Sequence, residues 1–148
     1  MPDTFPLLLR WSGNTLGPAY SRNVELANPD HLSIPVSSAP AYAGDPNRWN
    51  PEDLLASALA TCHLLTFLAL ASKARLEIRA YEDHAEATLA TVDRISRVGA
   101  IRLRPTIRVA PGTSAANVVE LFEKAHKYCI IANSISCEVI MEPRVIEG

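Results

Sequence analysis

Between Asn50 and Lys73 the chain is apolar at most positions, while the segments on either side alternate apolar and polar residues. Leu55, Leu59, Cys62, Thr66 and Ala69 share one stripe at helical spacing, and most of the remaining positions there are apolar too. That pattern predicts a long helix covered on several sides, a central or interface element. Asn50-Pro51-Glu52-Asp53 supplies its start: Asn50 as cap, Pro51 at the first helical position, two acids at the positive end of the dipole. Upstream, Leu7 to Trp11 reads as a short strand stopping at Ser12, Gly13 and Asn14. Tyr20 to Leu26 reads as an alternating strand, with Tyr20, Arg22, Val24 and Leu26 on one face. The stretch 28–49, with Pro29, Pro35, Pro40, Gly44 and Pro46, reads as irregular; such long connections in a compact domain are often functional, or cross to a partner. Downstream, Leu76 to Tyr81, His84 to Val92 and Ile101 to Val109 alternate, the last interrupted by Pro105, with turns at Gly99 and Pro111-Gly112. Thr113 or Ser114 caps a second helix through about Tyr128, with Val118, Val119, Leu121, Phe122 and Ala125 on its buried side. Cys129 to Ile135 reads as a short helix and Cys137 to Met141 as a last strand. The order predicts an α+β fold with an antiparallel sheet around the long apolar helix.

Composition narrows the function classes. A length of 148 residues fits one domain, 1–148, and nearly half the residues are apolar. A net charge of −2, with basic residues spread along the chain, gives no footprint for nucleic acid. The first residues, MPDTFPLLLRW, do not read as a signal peptide. The apolar segment carries Ser57, Thr61, Cys62, His63, Thr66, Ser72 and Lys73, which reads as too polar for a membrane span. The expectation is therefore a cytoplasmic protein. In a reducing compartment its three cysteines would be catalytic, metal-binding or buried.

Cys62, in the middle of the apolar helix, is either a small packed hydrophobe or a nucleophile. A nucleophilic role needs the thiolate, a nearby cation or donor to hold it, and a second thiol to resolve the sulfenic acid. Cys129, at the break after the second helix, is one such thiol. Spacing alone favours Cys62 with Cys129 no more than either with Cys137, which reads as a packed strand residue. Arg22 is the cation that most needs a partner, because it falls on an apolar strand face. Glu52 is its candidate partner, since a carboxylate holds a guanidinium rigidly and leaves other donors free. Ten residues on one helix put Glu52 about 15 Å from Cys62, so a site using both would draw them from two chains. His63 and His126 do not form a zinc pattern with the cysteines, because adjacent helical residues point apart; no metal or cofactor is expected.

The run NPEDLLASALATCHLLTFLALASKA resembles the central helix of the OsmC/Ohr proteins, the osmotically induced and organic-hydroperoxide-resistance thiol peroxidases. Asn50, Pro51, Glu52 and Cys62 fit its motif, and AHKYCIIANSIS, with Cys129 and Asn133, is similar to the second. The resemblance implies an intertwined homodimer of OsmC-like α+β fold that reduces organic hydroperoxides. It implies Cys62 as the peroxidatic cysteine, Cys129 as the resolving one, and Glu52 and Arg22 as the acid and base of a supporting ion pair. A dithiol, of lipoyl type by the same resemblance, is the implied reductant, with no cofactor, nucleic acid or membrane. The alternative is a small-ligand-binding or stress protein of the same fold with idle cysteines.

Overall fold

The computed structural model describes residues 3–13, 16, 19–28 and 32–148. The turn expected at Asn14 and the proline at position 29 lie outside the described residues. The chain divides into two compact units, Met1–Leu54 and Leu55–Gly148.

The first unit carries an antiparallel sheet in the order β1 (Leu8–Arg10), β2 (Val24–Ala27) and β3 (Ser33–Val36). β2 is shorter than the alternation over Tyr20–Leu26 predicts. The Asn23 N–H donates to Ser21 Oγ at 3.1 Å, and the Ser21 carbonyl accepts from Trp11 Nε1 at 2.8 Å. These side-chain bonds occupy backbone groups that a ladder would otherwise use. β3 lies in the stretch read as irregular. It tolerates Pro35 because it is an edge strand.

Helix α1 (Pro51–Lys73) begins as its sequence dictates: Asn50 Oδ1 accepts from the Asp53 N–H at 2.8 Å. It ends without glycine. Arg75 adopts a left-handed conformation (φ 58°), the Leu76 N–H donates to the Ala71 carbonyl, and the Arg75 N–H donates to that of Ser72. That is a Schellman ending, with an arginine where glycine would be cheaper. Only one stripe of α1 is buried: Ala56, Leu59, His63, Phe67 and Ala71. Its scattered polar residues understate how apolar it is. Over 18 residues its mean hydropathy reaches 2.0, so by length and composition alone it is long and apolar enough to cross a membrane.

In the second unit, β5 (Glu86–Val92) and β6 (Ile95–Leu103) form a hairpin turning at Asp93 and Arg94, both left-handed. Gly99 is no turn. It is the extra residue of a bulge, since Thr88 opposes Ala100 while Leu89 opposes Val98. A Cβ there would stand 2.8 Å from Ala90 Cβ. Gly99→Val is therefore expected to lose about 1–3 kcal/mol, read as a lower urea midpoint. Pro105 opens a new strand, β7 (Pro105–Val109), which pairs with β4 (Ile78–Asp83) in another sheet. Helix α2 (Ala115–Tyr128) starts at Ser114, whose Oγ accepts from the Asn117 N–H at 3.2 Å. It carries the chain back so that β8 (Glu138–Met141) lies parallel to β6, and β9 (Arg144–Glu147) parallel to β7. The α+β class and the central apolar helix agree with the sequence. The two sheets of this unit, however, are mixed rather than purely antiparallel, because parallel neighbours follow from a helical crossover. The core joins Leu59 and Phe67 of α1, Ile101, Leu103, Ile107 and Val109 of the strands, and Val118, Phe122 and Cys129 of the α2 segment.

Candidate functional site

Cys62 lies on α1 beside the buried stripe and is half-buried, whereas Cys129 is the fully buried C-cap of α2. Helix α2 stops there because the Cys129 backbone turns extended (φ −68°, ψ 117°) while its N–H still donates to Ala125. Asn133 holds the exit. Its Nδ2 donates to the Cys129 and Lys127 carbonyls at 2.9 and 3.0 Å, and its N–H donates to the Cys129 carbonyl at 3.1 Å. The segment after Cys129 is thereby folded over its own sulfur, and the Ala132 N–H reaches Cys129 Sγ at 3.4 Å.

The two thiols, both free, are close enough that each shifts the other's pKa. Their surroundings differ in sign. At Cys62, burial is the largest single influence and pushes the thiol up. Against it act the Ile131 N–H, the Cys129 thiol, the Ile130 N–H and, least, the Thr66 hydroxyl, and the net shift is downward. The Thr66 hydroxyl donates to the Cys62 carbonyl at 2.8 Å, and its one proton cannot serve the sulfur at the same time. At Cys129, burial pushes the thiol up and the neighbouring Cys62 adds to the rise, against smaller help from the Ala132 and Ile131 N–H groups. The shifts thus run in opposite directions, and of the two sulfurs Cys62 is the one whose ionisation its surroundings favour.

The other sequence candidates are placed differently. Arg22 is not on a strand face, because β2 starts at Val24. It donates to the Tyr20 carbonyl at 3.1 Å and stacks over the Tyr20 ring at 4.3 Å. Among the described residues it makes no ion pair with Glu52 of its own chain, contrary to the simplest form of the expected pair. Glu52 keeps one oxygen, Oε2, buried and without a partner. Glu52 and Cys62 sit ten positions apart on the one unbroken helix, about 15 Å of rise. Arg48 was not singled out from sequence; it makes ion pairs with Glu25 at 3.1 Å and Asp45 at 3.7 Å. Nor was there any signal for the backbone N–H groups of Ile130 and Ile131, because their role depends on where the chain turns after Cys129. Cys137 is half-buried against the core. Among the described residues, no three His, Cys, Asp or Glu side chains converge as a metal cluster.

His63 is fully buried, and its Nε2–H donates to the Phe122 carbonyl at 2.9 Å. Burial lowers its pKa from 6.5 to about 4, with His126 adding to the fall and the Phe122 bond opposing it. Between those pH values the unfolded chain takes up a proton that the fold refuses. This contribution to stability is complete above pH 6.5 and is lost as the pH falls through 4, by roughly 2–4 kcal/mol in total. Asp83, pushed up by burial, works in the opposite sense, so the comparison is with His63→Leu. The urea midpoint of the wild-type protein should drop between pH 7 and pH 4.5, and that of the variant should drop less. Equal drops would refute the assignment.

The sequence profile of the OsmC-like proteins matches residues 44–143, more than half of the chain. The chain belongs to the OsmC-like family. Among solved structures, it is 27% identical to an OsmC-like protein of unknown function from Vibrio cholerae, with 96% of this chain and 99% of that one covered at a TM-score of 0.85. The organic hydroperoxide resistance protein OhrB of Bacillus subtilis shares the fold at 19% identity and a TM-score of 0.66, covering 97% and 98% of the two chains. An organic hydroperoxide resistance protein from Elizabethkingia anophelis shares it at 17% identity, 100% coverage of both chains and a TM-score of 0.69. No curated protein matches the chain. Family membership fits α1 as the central helix of this fold.

Proposed function

We propose that this OsmC-like protein is a thiol-dependent peroxidase that reduces organic hydroperoxides. The observation that carries this reading is the cysteine pair: two free thiols close enough to shift each other's pKa, with ionisation favoured at Cys62 and opposed at Cys129. The fold shared with two organic hydroperoxide resistance proteins supports it.

In the proposed reaction the Cys62 thiolate attacks the peroxide oxygen distal to the organic group. The O–O bond breaks, a proton is taken up, and an alcohol leaves, with Cys62 oxidised to a sulfenic acid. The Cys129 sulfur then attacks Cys62 Sγ, water leaves, and the Cys62–Cys129 disulfide forms. An external dithiol, of lipoyl type by family analogy, returns both thiols by exchange and is itself oxidised. The N–H groups facing Cys62 are in place before the reaction, so holding the thiolate requires no rearrangement.

The reading includes a homodimer in a reducing, cytoplasmic setting. The dimer is supported by exposed leucines on α1, Leu65 and Leu68, and the buried, unpartnered Glu52 Oε2 lacks the cation that the ion pair calls for. Arg22 is the proposed donor.

The test is a thiol count. One equivalent of cumene hydroperoxide per reduced chain should remove two of the three titratable thiols, and peptide mapping should find Cys62 bonded to Cys129. Peroxide consumed with all three thiols intact, or none consumed, would end the reading.

A further inference from the structure

The peroxidase reading gives the two sulfurs their chemistry but leaves open what holds the helices that carry them. Helix α1 bears Cys62 and α2 ends at Cys129. The apolar contacts in the core, such as Leu59, Phe67, Val118 and Phe122, are non-directional and set no axial register by themselves. His63, the residue after Cys62, supplies a directional link. Its side chain is wholly buried, its Nε2 is 2.9 Å from the Phe122 carbonyl oxygen, and its ring lies against the Phe122 ring with centroids 4.3 Å apart. The acceptor is a carbonyl, so Nε2 carries the hydrogen. Phe122 lies inside α2, so its carbonyl already serves the helix ladder, and the bond to His63 uses the second lone pair. The anchor stands one residue from Cys62 on α1 and seven residues, about 10 Å, before Cys129 on α2. His63 Nδ1 is buried without a partner, as is Nδ1 of His126, whose ring centroid is 6.5 Å away. Among the described residues, the Phe122 carbonyl is thus the hydrogen-bond partner that fixes the imidazole.

We propose that His63 is a positioning residue: through the Phe122 carbonyl it fixes the register of α1 against α2 at which Cys129 meets Cys62. It touches neither peroxide nor sulfur. Burial keeps it neutral, so the donor persists at ordinary pH. The inference rests on the peroxidase reading only for its place in turnover; its own readout is the dithiol–disulfide equilibrium.

Two variants and one wild-type measurement test it. His63→Leu removes the donor and leaves the Phe122 carbonyl its helical bond. His63→Gln keeps an N–H donor at about the same reach. The equilibrium constant for forming the Cys62–Cys129 disulfide against oxidised glutathione should fall at least tenfold in His63→Leu, a rise in potential of about 30 mV. It should return to within about threefold of wild type in His63→Gln. The first-turnover rate of Cys62 with hydroperoxide should fall with it in His63→Leu, because the Ile130 and Ile131 N–H groups that face Cys62 lie on the same segment, and should recover in His63→Gln. Should His63→Leu fail to fold, the imidazole nitrogen shifts of the wild-type protein still decide. They must report the Nε2-protonated neutral tautomer at pH 7, and the other tautomer or an imidazolium overturns the proposal. So does a folded His63→Leu with the wild-type constant, or a His63→Gln that does not rescue. A wild-type chain that forms the disulfide with glutathione but consumes no hydroperoxide would remove the peroxidase reading and leave the role of His63 to be judged on the same equilibrium.

Discussion

Cys62→Ser is expected to lower kcat/KM for an organic hydroperoxide by on the order of a thousandfold or more, without unfolding the protein. The thiolate is the nucleophile, and a serine hydroxyl is not ionised at neutral pH. The substitution changes one atom at a half-buried position on α1. The N–H groups of Ile131 and Ile130 would still face the side chain, with no thiolate left to hold. Cys129→Ser should behave differently. The first equivalent of peroxide is consumed at close to the wild-type rate, since Cys62 remains. The sulfenic acid then has no resolving partner and oxidises further under excess peroxide, gaining 32 mass units as the sulfinic acid. Stopped-flow peroxide consumption followed by intact-mass analysis separates the two variants. A Cys62→Ser protein that turns over at the wild-type rate, or a Cys129→Ser protein that cycles through many equivalents, would contradict the assignment of roles.

Features of the chain that are local were readable from its residues. The start of α1 was legible because Asn50, Pro51 and two acids each act within one turn, and the start of α2 was legible to within the choice of Thr113 or Ser114, of which Ser114 is the cap. The buried alternation Ile101, Leu103, Ile107, Val109 was also legible, although its break at Pro105 proved to be a change of sheet. What depended on distant partners was not. Strand β9 follows Pro143 and exists by pairing with β7, 38 residues earlier at every paired position. Gly99 carries the composition of a turn and sits in a bulge, because what it needs is clearance from Ala90 rather than a reversal. The choice of Cys129 over Cys137 as the neighbour of Cys62 is a result of tertiary packing, and the motif resemblance indicated it where spacing did not. Arg22 was read on a strand that Ser21 prevents from forming. His63 passed for an ordinary helix residue, since nothing local announces a bond to a carbonyl 59 positions away.

The second large effect is expected on the exposed face of α1. Only 28% of its most apolar window is buried within one chain, and Leu65 and Leu68 are 61% and 36% exposed. A contiguous apolar face of this kind marks an interface rather than a solvated surface. The proposed homodimer covers it, and burying a leucine is worth about 1.5–3 kcal/mol for each side chain. In a dimer every such position counts twice. Replacing both leucines by glutamate removes that gain and forces carboxylates out of water at the contact, at a cost of several kcal/mol per charge. The Leu65→Glu/Leu68→Glu variant is therefore expected to weaken self-association by at least about 4 kcal/mol, a thousandfold in Kd. Sedimentation velocity at micromolar concentration should show a wild-type dimer and a variant monomer. Far-UV circular dichroism should stay close to wild type, because both side chains already face outward in the single chain. The Cys62–Cys129 disulfide, made within one chain, should still form in the monomeric variant. A wild-type monomer, or a variant that stays dimeric, would refute the placement of the interface on α1.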